Sequence, residues 1–150
     1  MSATLPVEQA GKRYPPVGYA VGREKVREYA AAVGETNPLH FDLDAARAAG
    51  HADLVAPPMF AVVYTGAAVI PVMFDPELAI DFAMLVHGAQ EFRWAQLVIA
   101  GDEIETEVEV KSIQERRGLG FYVFESRSRN QRGEDVCVGT WTNIVRGLPE

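Results

Sequence analysis

The most hydrophobic stretch of the chain runs from Met59 to Ile70 and contains no charged residue. A helix that is apolar on every face must be enclosed on every face, and this stretch is shorter than the roughly 20 residues that a membrane span needs. Its β-branched residues would also suit a strand, because periodicity alone does not separate the two. Pro57 and Pro58 stand just before it, where a missing N–H costs nothing, and Pro71 follows it. The prolines and the length therefore predict a buried central helix that ends at Pro71.

Two further helices are predicted before this stretch. Four residues recur with the i, i+3, i+4, i+7 spacing of one face of an amphipathic helix, namely Val26, Tyr29, Ala30 and Val33. This helix is expected to run from Gly22 to Val33 and to end at Gly34, because glycine is common just after a helix. A shorter helix is predicted over Leu43–Ala49.

Beyond Pro71 the hydrophobic period falls to two, which is the period of a half-buried strand. In Glu103–Val110 four glutamates alternate with isoleucine, threonine and valine, so one face of this strand is buried and the other faces water. The other predicted strands are Met84–Trp94, interrupted at His87-Gly88, Leu119–Arg129 and Val136–Val145. Residues 1–18 are rich in proline and glycine and are expected to form an arm on the surface.

These elements predict an α+β protein in which the dry face of an antiparallel sheet wraps a long buried central helix. The length of 150 residues suggests one domain over residues 1–150. The solvent-facing side of the sheet and its open edge remain available for another chain. We therefore expect the protein to be a dimer.

Composition narrows the function by exclusion. The chain is 48% hydrophobic with a net charge of −7, which is typical of a soluble globular protein and argues against a nucleic-acid partner or a membrane. Cys137 is the only cysteine, so neither a disulfide framework nor a zinc cluster is expected. The first residues carry neither basic charge nor an apolar run, so no signal peptide is visible and a cytoplasmic location is expected.

One short segment groups an acid, an amide and an imidazole, namely Glu35, Asn37 and His40. A carboxylate and a histidine within one turn could hold a water molecule between them and move a proton and a hydroxyl on adjacent carbons, which is general acid–base chemistry. A structural interpretation is also open. In that interpretation Glu35 is solvated, Asn37 caps a turn and His40 bonds a backbone carbonyl.

The segment Gly34-Glu35-Thr36-Asn37-Pro38-Leu39-His40 resembles the signature of the (R)-specific enoyl-thioester hydratases, the MaoC-like dehydratases, whose usual core is Gly-Asp-x-Asn-Pro-Leu-His. Three other segments are similar to the N-terminal type of MaoC domain, including the accessory subunits of hydroxyacyl carrier-protein dehydratases. They are residues 21–26, 56–60 and 100–102. The resemblance covers roughly residues 14–146.

The resemblance implies a hot-dog fold and a homodimer or heterodimer of hot-dog subunits with an acyl thioester bound at the interface. The catalytic pair of the family would fall on Glu35 and His40, with Asn37 supporting them. Such enzymes add water to a trans-2-enoyl thioester or remove it from a (3R)-3-hydroxyacyl thioester. No metal or redox cofactor is implied, and coenzyme A or an acyl carrier protein carries the thioester.

Two departures from the family pattern bear on catalysis. Glu35 replaces the usual aspartate and is one methylene longer. Pro57-Pro58-Met59 replaces the usual His-Gly-Met, so the amide that would polarise the thioester carbonyl is missing, because Pro58 has no N–H. The second change is shared with the accessory type of subunit. Pro58 and Met59 are nonetheless expected at the substrate, and His87 is a further candidate for a substrate-channel or carrier contact.

Three functions remain at this point. The first is a hydro-lyase acting through Glu35 and His40, alone or within a heterodimer. The second is a non-catalytic subunit that binds the acyl chain while a partner supplies the catalytic pair. The third is a thioesterase, because fold alone does not settle function. The Asn-Pro-Leu-His spacing favours the hydro-lyase, since hydrolysis has no need of it.

Overall fold

The computed structural model describes residues 5–147 of the chain. Its strands are β1 (Arg13–Ala20), β2 (Leu85–Trp94), β3 (Glu103–Arg116), β4 (Leu119–Arg129) and β5 (Asp135–Val145). Its α-helices are α1 (Arg23–Ala32), α2 (Leu43–Ala48) and α3 (Ala61–Met73), and short 3₁₀ turns lie at Val7–Gln9, Pro38–His40, Pro58–Phe60 and Pro76–Leu78. The strands form one antiparallel sheet in the order β1-β3-β4-β5-β2. No helix among these residues is long and apolar enough to span a membrane.

The alternation predicted for the sheet is confirmed in β3. Ile104, Val108 and Val110 are buried, whereas Glu103, Glu105 and Glu107 are exposed on the opposite face. The buried face packs on α3, whose Tyr64, Ala68 and Val69 are almost fully enclosed. The expected sheet around a central helix is therefore confirmed, and it is the hot-dog arrangement.

Pro71 does not end the central helix, contrary to the prediction. The helix α3 continues to Met73, and the N–H of Phe74 bonds the carbonyl of Pro71 at 3.1 Å. Proline in a helix removes one hydrogen bond, to the carbonyl four residues earlier. Because Pro71 lies in the last turn and is exposed, the loss of that hydrogen bond falls near the end of the helix, where water can reach the backbone.

The expectation that the central helix is enclosed on every face is also wrong. Ile70 is 54% exposed and Phe74 is 64% exposed, and Phe82 stacks on Phe74 with a centroid distance of 4.4 Å. Most of α3 is buried or half-buried, so it is the C-terminal end of the helix that lacks cover in a single chain. We call Ile70, Phe74 and Phe82 the apolar patch.

Helix α1 matches its predicted span and buries Val26 and Ala30. Val33 is exposed, although the periodicity placed it on the buried face. The reason is that Val33 is already the residue after the last helical turn. Gly34 then takes φ +76°, a left-handed conformation that turns the chain away from the helix axis.

The N-terminal arm was predicted wrongly in part, because residues 13–18 belong to β1. This strand forms one edge of the sheet and pairs with β3. The pairing register shifts between Tyr14 and Val17, where Pro15 and Pro16 lie. Prolines have no N–H for a ladder and are tolerated at edges and bulges, so their presence did not exclude a strand. Residues 1–4 of the expected arm lie outside the described residues.

Candidate active site

The segment after α1 is a 3₁₀ turn that Asn37 caps. The side-chain oxygen of Asn37 accepts the N–H of Leu39 at 3.0 Å. Pro38 occupies the first position of the turn, where proline needs no donor. Asn37 therefore holds the backbone that carries His40, as the structural interpretation of the sequence expected.

His40 is only 6% exposed, and its ring is fixed by the backbone of Val55. Its Nδ1 lies 2.6 Å from the carbonyl oxygen of Val55. A carbonyl can only accept, so Nδ1 donates a proton to it, and Nε2 is the nitrogen that has the lone pair in the neutral form of the ring. The N–H of Val55 in turn donates to the carbonyl of Leu39 at 2.9 Å. The two hydrogen bonds fix both the tautomer and the direction of Nε2.

Glu35 stands opposite this lone pair. Its N–H bonds the carbonyl of Ala30 at 2.9 Å, so the end of α1 fixes its backbone. Its side chain is 40% exposed, and its Oε2 lies 3.9 Å from Nε2 of His40. That separation is too long for a direct hydrogen bond. An oxygen placed about 2.8 Å from each atom would bond both, so the pair can hold one water molecule or a substrate hydroxyl.

Tyr29 is a polar neighbour that the sequence analysis did not assign to the site. Burial raises the pKa of its hydroxyl, and the negative charge of Glu35 raises the pKa further. Its ring packs edge-on against Phe60 at 5.5 Å. The hydroxyl thus stays protonated beside Glu35. The sequence could have indicated Tyr29, because it lies on the predicted buried face of α1 and close to Glu35. The hydroxyl of a buried tyrosine usually finds a hydrogen-bond partner.

At the start of the central helix, Pro58 contributes an acceptor and no donor. Its carbonyl accepts the indole N–H of Trp94 at 2.9 Å, which ties the turn to the end of β2. Met59 beside it is exposed. This turn therefore lacks the donor that a residue other than proline would offer at position 58.

An apolar cavity of about 310 Å³ opens between the start of α3 and the segment after β2. Phe60, Tyr64 and Val98 line it, together with residues 56–58, 61 and 94–97. Glu35 and His40 are not among its lining residues. One of the lining residues, residue 56, directly follows Val55, whose carbonyl bonds His40.

His87 is not brought to the Glu35–His40 pair. It lies at a bulge of β2, with a register shift between His87 and Ala89, as the break in the strand pattern predicted. Its Nδ1 is 3.4 Å from Oδ1 of Asn143, and its ring packs edge-on against Trp141.

Cys137 is buried, which raises the pKa of its thiol and suits a strand residue better than a nucleophile.

The sheet wrapped around α3 and the acid–histidine turn beside it define the class of the MaoC-like dehydratases of hot-dog fold. Residues 8–138 match the family described as "FAS1-like, dehydratase domain region". The chain belongs to this family, and the resemblance drawn from its signature is confirmed.

Three similar proteins illustrate the relationship. A protein of Saccharopolyspora erythraea named "UPF0336 protein" is 41% identical over 149 residues, which cover 97% of this chain and 96% of the relative. The C-terminally truncated HadBC complex, a (3R)-hydroxyacyl-ACP dehydratase of Mycobacterium tuberculosis, matches with a TM-score of 0.77 and 31% identity over 93% of this chain and 99% of that chain. A MaoC-like dehydratase matches with a TM-score of 0.81 and 29% identity over 94% of this chain, but only 43% of that longer chain.

Proposed function

We propose that the chain is a hydro-lyase subunit that acts on acyl thioesters carried by coenzyme A or an acyl carrier protein. The reaction is the addition of water to a trans-2-enoyl thioester, or its removal from a (3R)-3-hydroxyacyl thioester. The observation that carries the proposal is the pair of Glu35 and His40, with the acceptor Nε2 held 3.9 Å from the carboxylate. The (3R)-hydroxyacyl-ACP dehydratase activity printed for the HadBC complex supports the same class of reaction.

In the hydration direction, a water molecule bonds both Nε2 of His40 and the carboxylate of Glu35. As the water oxygen forms a bond to C3, Nε2 accepts one of the water protons. The electrons of the C2–C3 double bond move to C2. The proton held by Nε2 then passes to the carboxylate of Glu35, which delivers it to C2, so that both side chains return to their starting states. One water is consumed, C3 gains the hydroxyl and C2 gains the hydrogen. A positioned acid or base of this kind contributes about 10²–10⁴ in rate.

The acyl chain has a place beside this pair. The apolar cavity at the start of α3 is walled by Phe60, Tyr64 and Val98 and has the lining expected of a hydrocarbon site. Because Glu35 and His40 do not line it, the thioester would pass from the cavity to the pair around residue 56. Pro58 also lines this cavity, whereas the exposed Met59 does not. No metal or redox cofactor enters this chemistry.

The second candidate is a subunit that binds the acyl chain while a partner performs the chemistry. Pro58 favours it, since this residue offers no N–H to the thioester carbonyl and its own carbonyl is occupied by Trp94. Loss of one such donor costs roughly 3–4 kcal/mol of transition-state stabilisation. The exposed apolar patch at the end of α3 favours it as well.

Both candidates use a second hot-dog subunit, either a copy of this chain or a different one. The edge β2 is the side of the sheet that suits joining, because it contains no proline. The other edge, β1, carries Pro15 and Pro16 at its bulge and is blocked for strand addition. The apolar patch flanks the start of β2, which gives the partner an apolar surface to cover. We place the protein in the cytoplasm.

The test is turnover of crotonyl-coenzyme A by the purified chain, alone and mixed with a hot-dog subunit that carries the usual Asp/His pair. Hydration by the chain alone supports the catalytic candidate. Hydration only in the mixture, above the rate of the partner alone, supports the acyl-binding subunit. Release of free coenzyme A without hydration would instead indicate a thioesterase and would contradict the proposal.

A further inference from the structure

Helix α1 carries two arginines that reach toward the segments around His40. Arg23 and Arg27 are four residues apart and so share one face of the helix. Arg23 binds the carboxylate of Asp53 in bidentate fashion, with Nε to Oδ1 at 2.9 Å and Nη2 to Oδ2 at 2.7 Å. The Nε of Arg27 donates to the carbonyl of Phe41 at 3.1 Å.

Both acceptors belong to the frame that holds the imidazole. Phe41 directly follows His40 in the chain. Asp53 lies two residues before Val55, whose carbonyl fixes Nδ1, and the Oδ1 of Asp53 also accepts the N–H of Leu54 at 2.8 Å. Residues 54–56 are held in turn against residues 98–100, by hydrogen bonds from Ala100 to Leu54 and from residue 56 to Val98.

The other partner of the pair is delivered by α1 itself. Glu35 follows the last turn of this helix and is bonded to the carbonyl of Ala30. Any rotation or sliding of α1 therefore moves the carboxylate relative to Nε2 of His40. Two separate contact points on one helix face oppose both motions, whereas one contact point would leave rotation free.

We propose that Arg23 and Arg27 are positioning residues that set the distance between Glu35 and His40. This inference rests on the function proposed for that pair. The bidentate geometry of Arg23 on Asp53 supplies direction as well as charge. Exposed ion pairs contribute little to stability, while a displacement of about 1 Å at a reacting centre can cost about a hundredfold in rate. The arginines should therefore matter far more to the geometry of the pair than to the stability of the fold.

The test measures the coupling of residues 35 and 40 without relying on activity. The Nε2 resonance of His40 is recorded by ¹⁵N NMR in the parent and in Glu35→Gln, and their difference reports the coupling. The same difference is then measured in two variant backgrounds, Arg23→Lys and Arg27→Ala. Arg23→Lys keeps the positive charge but removes the bidentate guanidinium. We expect the coupling to fall at least twofold in both backgrounds. The control is Lys25→Ala, because Lys25 forms its ion pair with Glu28 on the same helix, and this variant should leave the coupling unchanged.

Turnover provides the second readout, measured on whichever assembly is active. Arg23→Lys and Arg27→Ala should lower kcat about tenfold with little change in KM and little change in the unfolding temperature. If Arg23→Lys fails to fold, Asp53→Asn replaces it, because the amide oxygen keeps the bond to Leu54 while the charge and the acceptor of Nη2 of Arg23 are lost. If Arg27→Ala fails to fold, Arg27→Lys replaces it, because lysine keeps the charge and removes the Nε donor to Phe41. Unchanged coupling in the folded variants would overturn the proposal, even if turnover fell. If the parent were inactive in every assembly, the proposed function would fail while the NMR result would still decide the role of the arginines.

Discussion

The turn that carries His40 and the start of the central helix differ in how many of the polar groups expected of a hydratase site they provide. In the turn, Asn37 caps the backbone, Val55 fixes the imidazole, and Glu35 faces Nε2 across 3.9 Å. In the turn just before α3, Pro58 has no backbone N–H to donate. Under the proposed function, the difference means that this chain would supply the acid–base pair of a hydration site, while another group would have to bind the thioester carbonyl.

The largest effect on the hydration rate is expected from removing the imidazole of His40. His40→Ala should lower hydration by about 10²–10⁴, because the acceptor at Nε2 is removed. The measurement is kcat on crotonyl-coenzyme A in the active assembly, with circular dichroism to show that the fold persists. Activity within about tenfold of the parent, or less than about 1.4 kcal/mol of barrier, would refute the role of His40 as base.

A smaller effect on the hydration rate is expected from adding a backbone N–H at position 58. Pro58→Gly restores an N–H at the start of the central helix, and an added donor at a carbonyl is worth up to about 10²–10³ in rate. Part of that is lost because glycine also loosens the turn, so we expect a gain of about tenfold in kcat. Pro57→Gly is the matched control and should give no gain. An equal gain in both variants would show that flexibility, rather than the amide, limits the rate.

The apolar patch at the end of the central helix leads to a prediction about assembly. Ile70→Asp places a charge in the apolar patch and should shift a dimer or complex toward monomers by about tenfold or more in dissociation constant, as measured by light scattering and analytical ultracentrifugation. Val7→Asp is the control, since Val7 is also 54% exposed but lies outside the patch. An Ile70→Asp protein that assembles as tightly as the parent would show that the patch is not part of the interface.

The smallest effect concerns the far end of α3, which is fastened to the β1 side of the sheet. The carboxylate of Asp75 accepts hydrogen bonds from Lys12 at 2.6 Å and from Tyr14 at 2.7 Å. Lys12 first, then Tyr14, lower the pKa of Asp75 from 3.8 to about 2. A lowered pKa stabilises the folded state above the ordinary pKa of the carboxyl group, and this contribution is lost as the pH falls through about 2.

Asp75→Asn should therefore lower the unfolding temperature by a few degrees at neutral pH. The gap between parent and variant should close as the pH falls from about 4 toward 2, as followed by thermal unfolding monitored by circular dichroism. A gap that stays constant over this range would mean that the hydrogen bonds, and not the charge, stabilise the contact.

Much of the fold follows from local pattern. The alternation in β3 and the periodicity of α1 each report one buried face, and the hot-dog arrangement is the way to cover an apolar helix with such strands. The two errors about proline share a cause, since the position of a proline within its element decides whether it is tolerated. Pro15 and Pro16 are tolerated because β1 is an edge, and Pro71 because it lies in the last turn of α3.

The closeness of Glu35 and His40 could be predicted to a similar extent, from the spacing of Glu35, Asn37 and His40 and from the family resemblance of this segment. Their catalytic role stays a prediction. Contacts between distant segments could not be predicted from this spacing. The carbonyl of Val55, which sets the tautomer of His40, is a backbone group without any sequence signature. The bidentate bond between Arg23 and Asp53 joins residues that only the fold brings together.

The most direct test of the central claim compares the parent with Glu35→Gln and Glu35→Asp in hydration of crotonyl-coenzyme A, each alone and each with a second hot-dog subunit whose own pair has been inactivated. Glutamine keeps the size of the side chain and removes its charge and proton, while aspartate is the residue usual in the family. We expect Glu35→Gln to lower turnover by about 10²–10⁴ and Glu35→Asp to lose far less or to gain. Equal rates for the parent and Glu35→Gln would contradict the claim that this chain carries the acid–base pair.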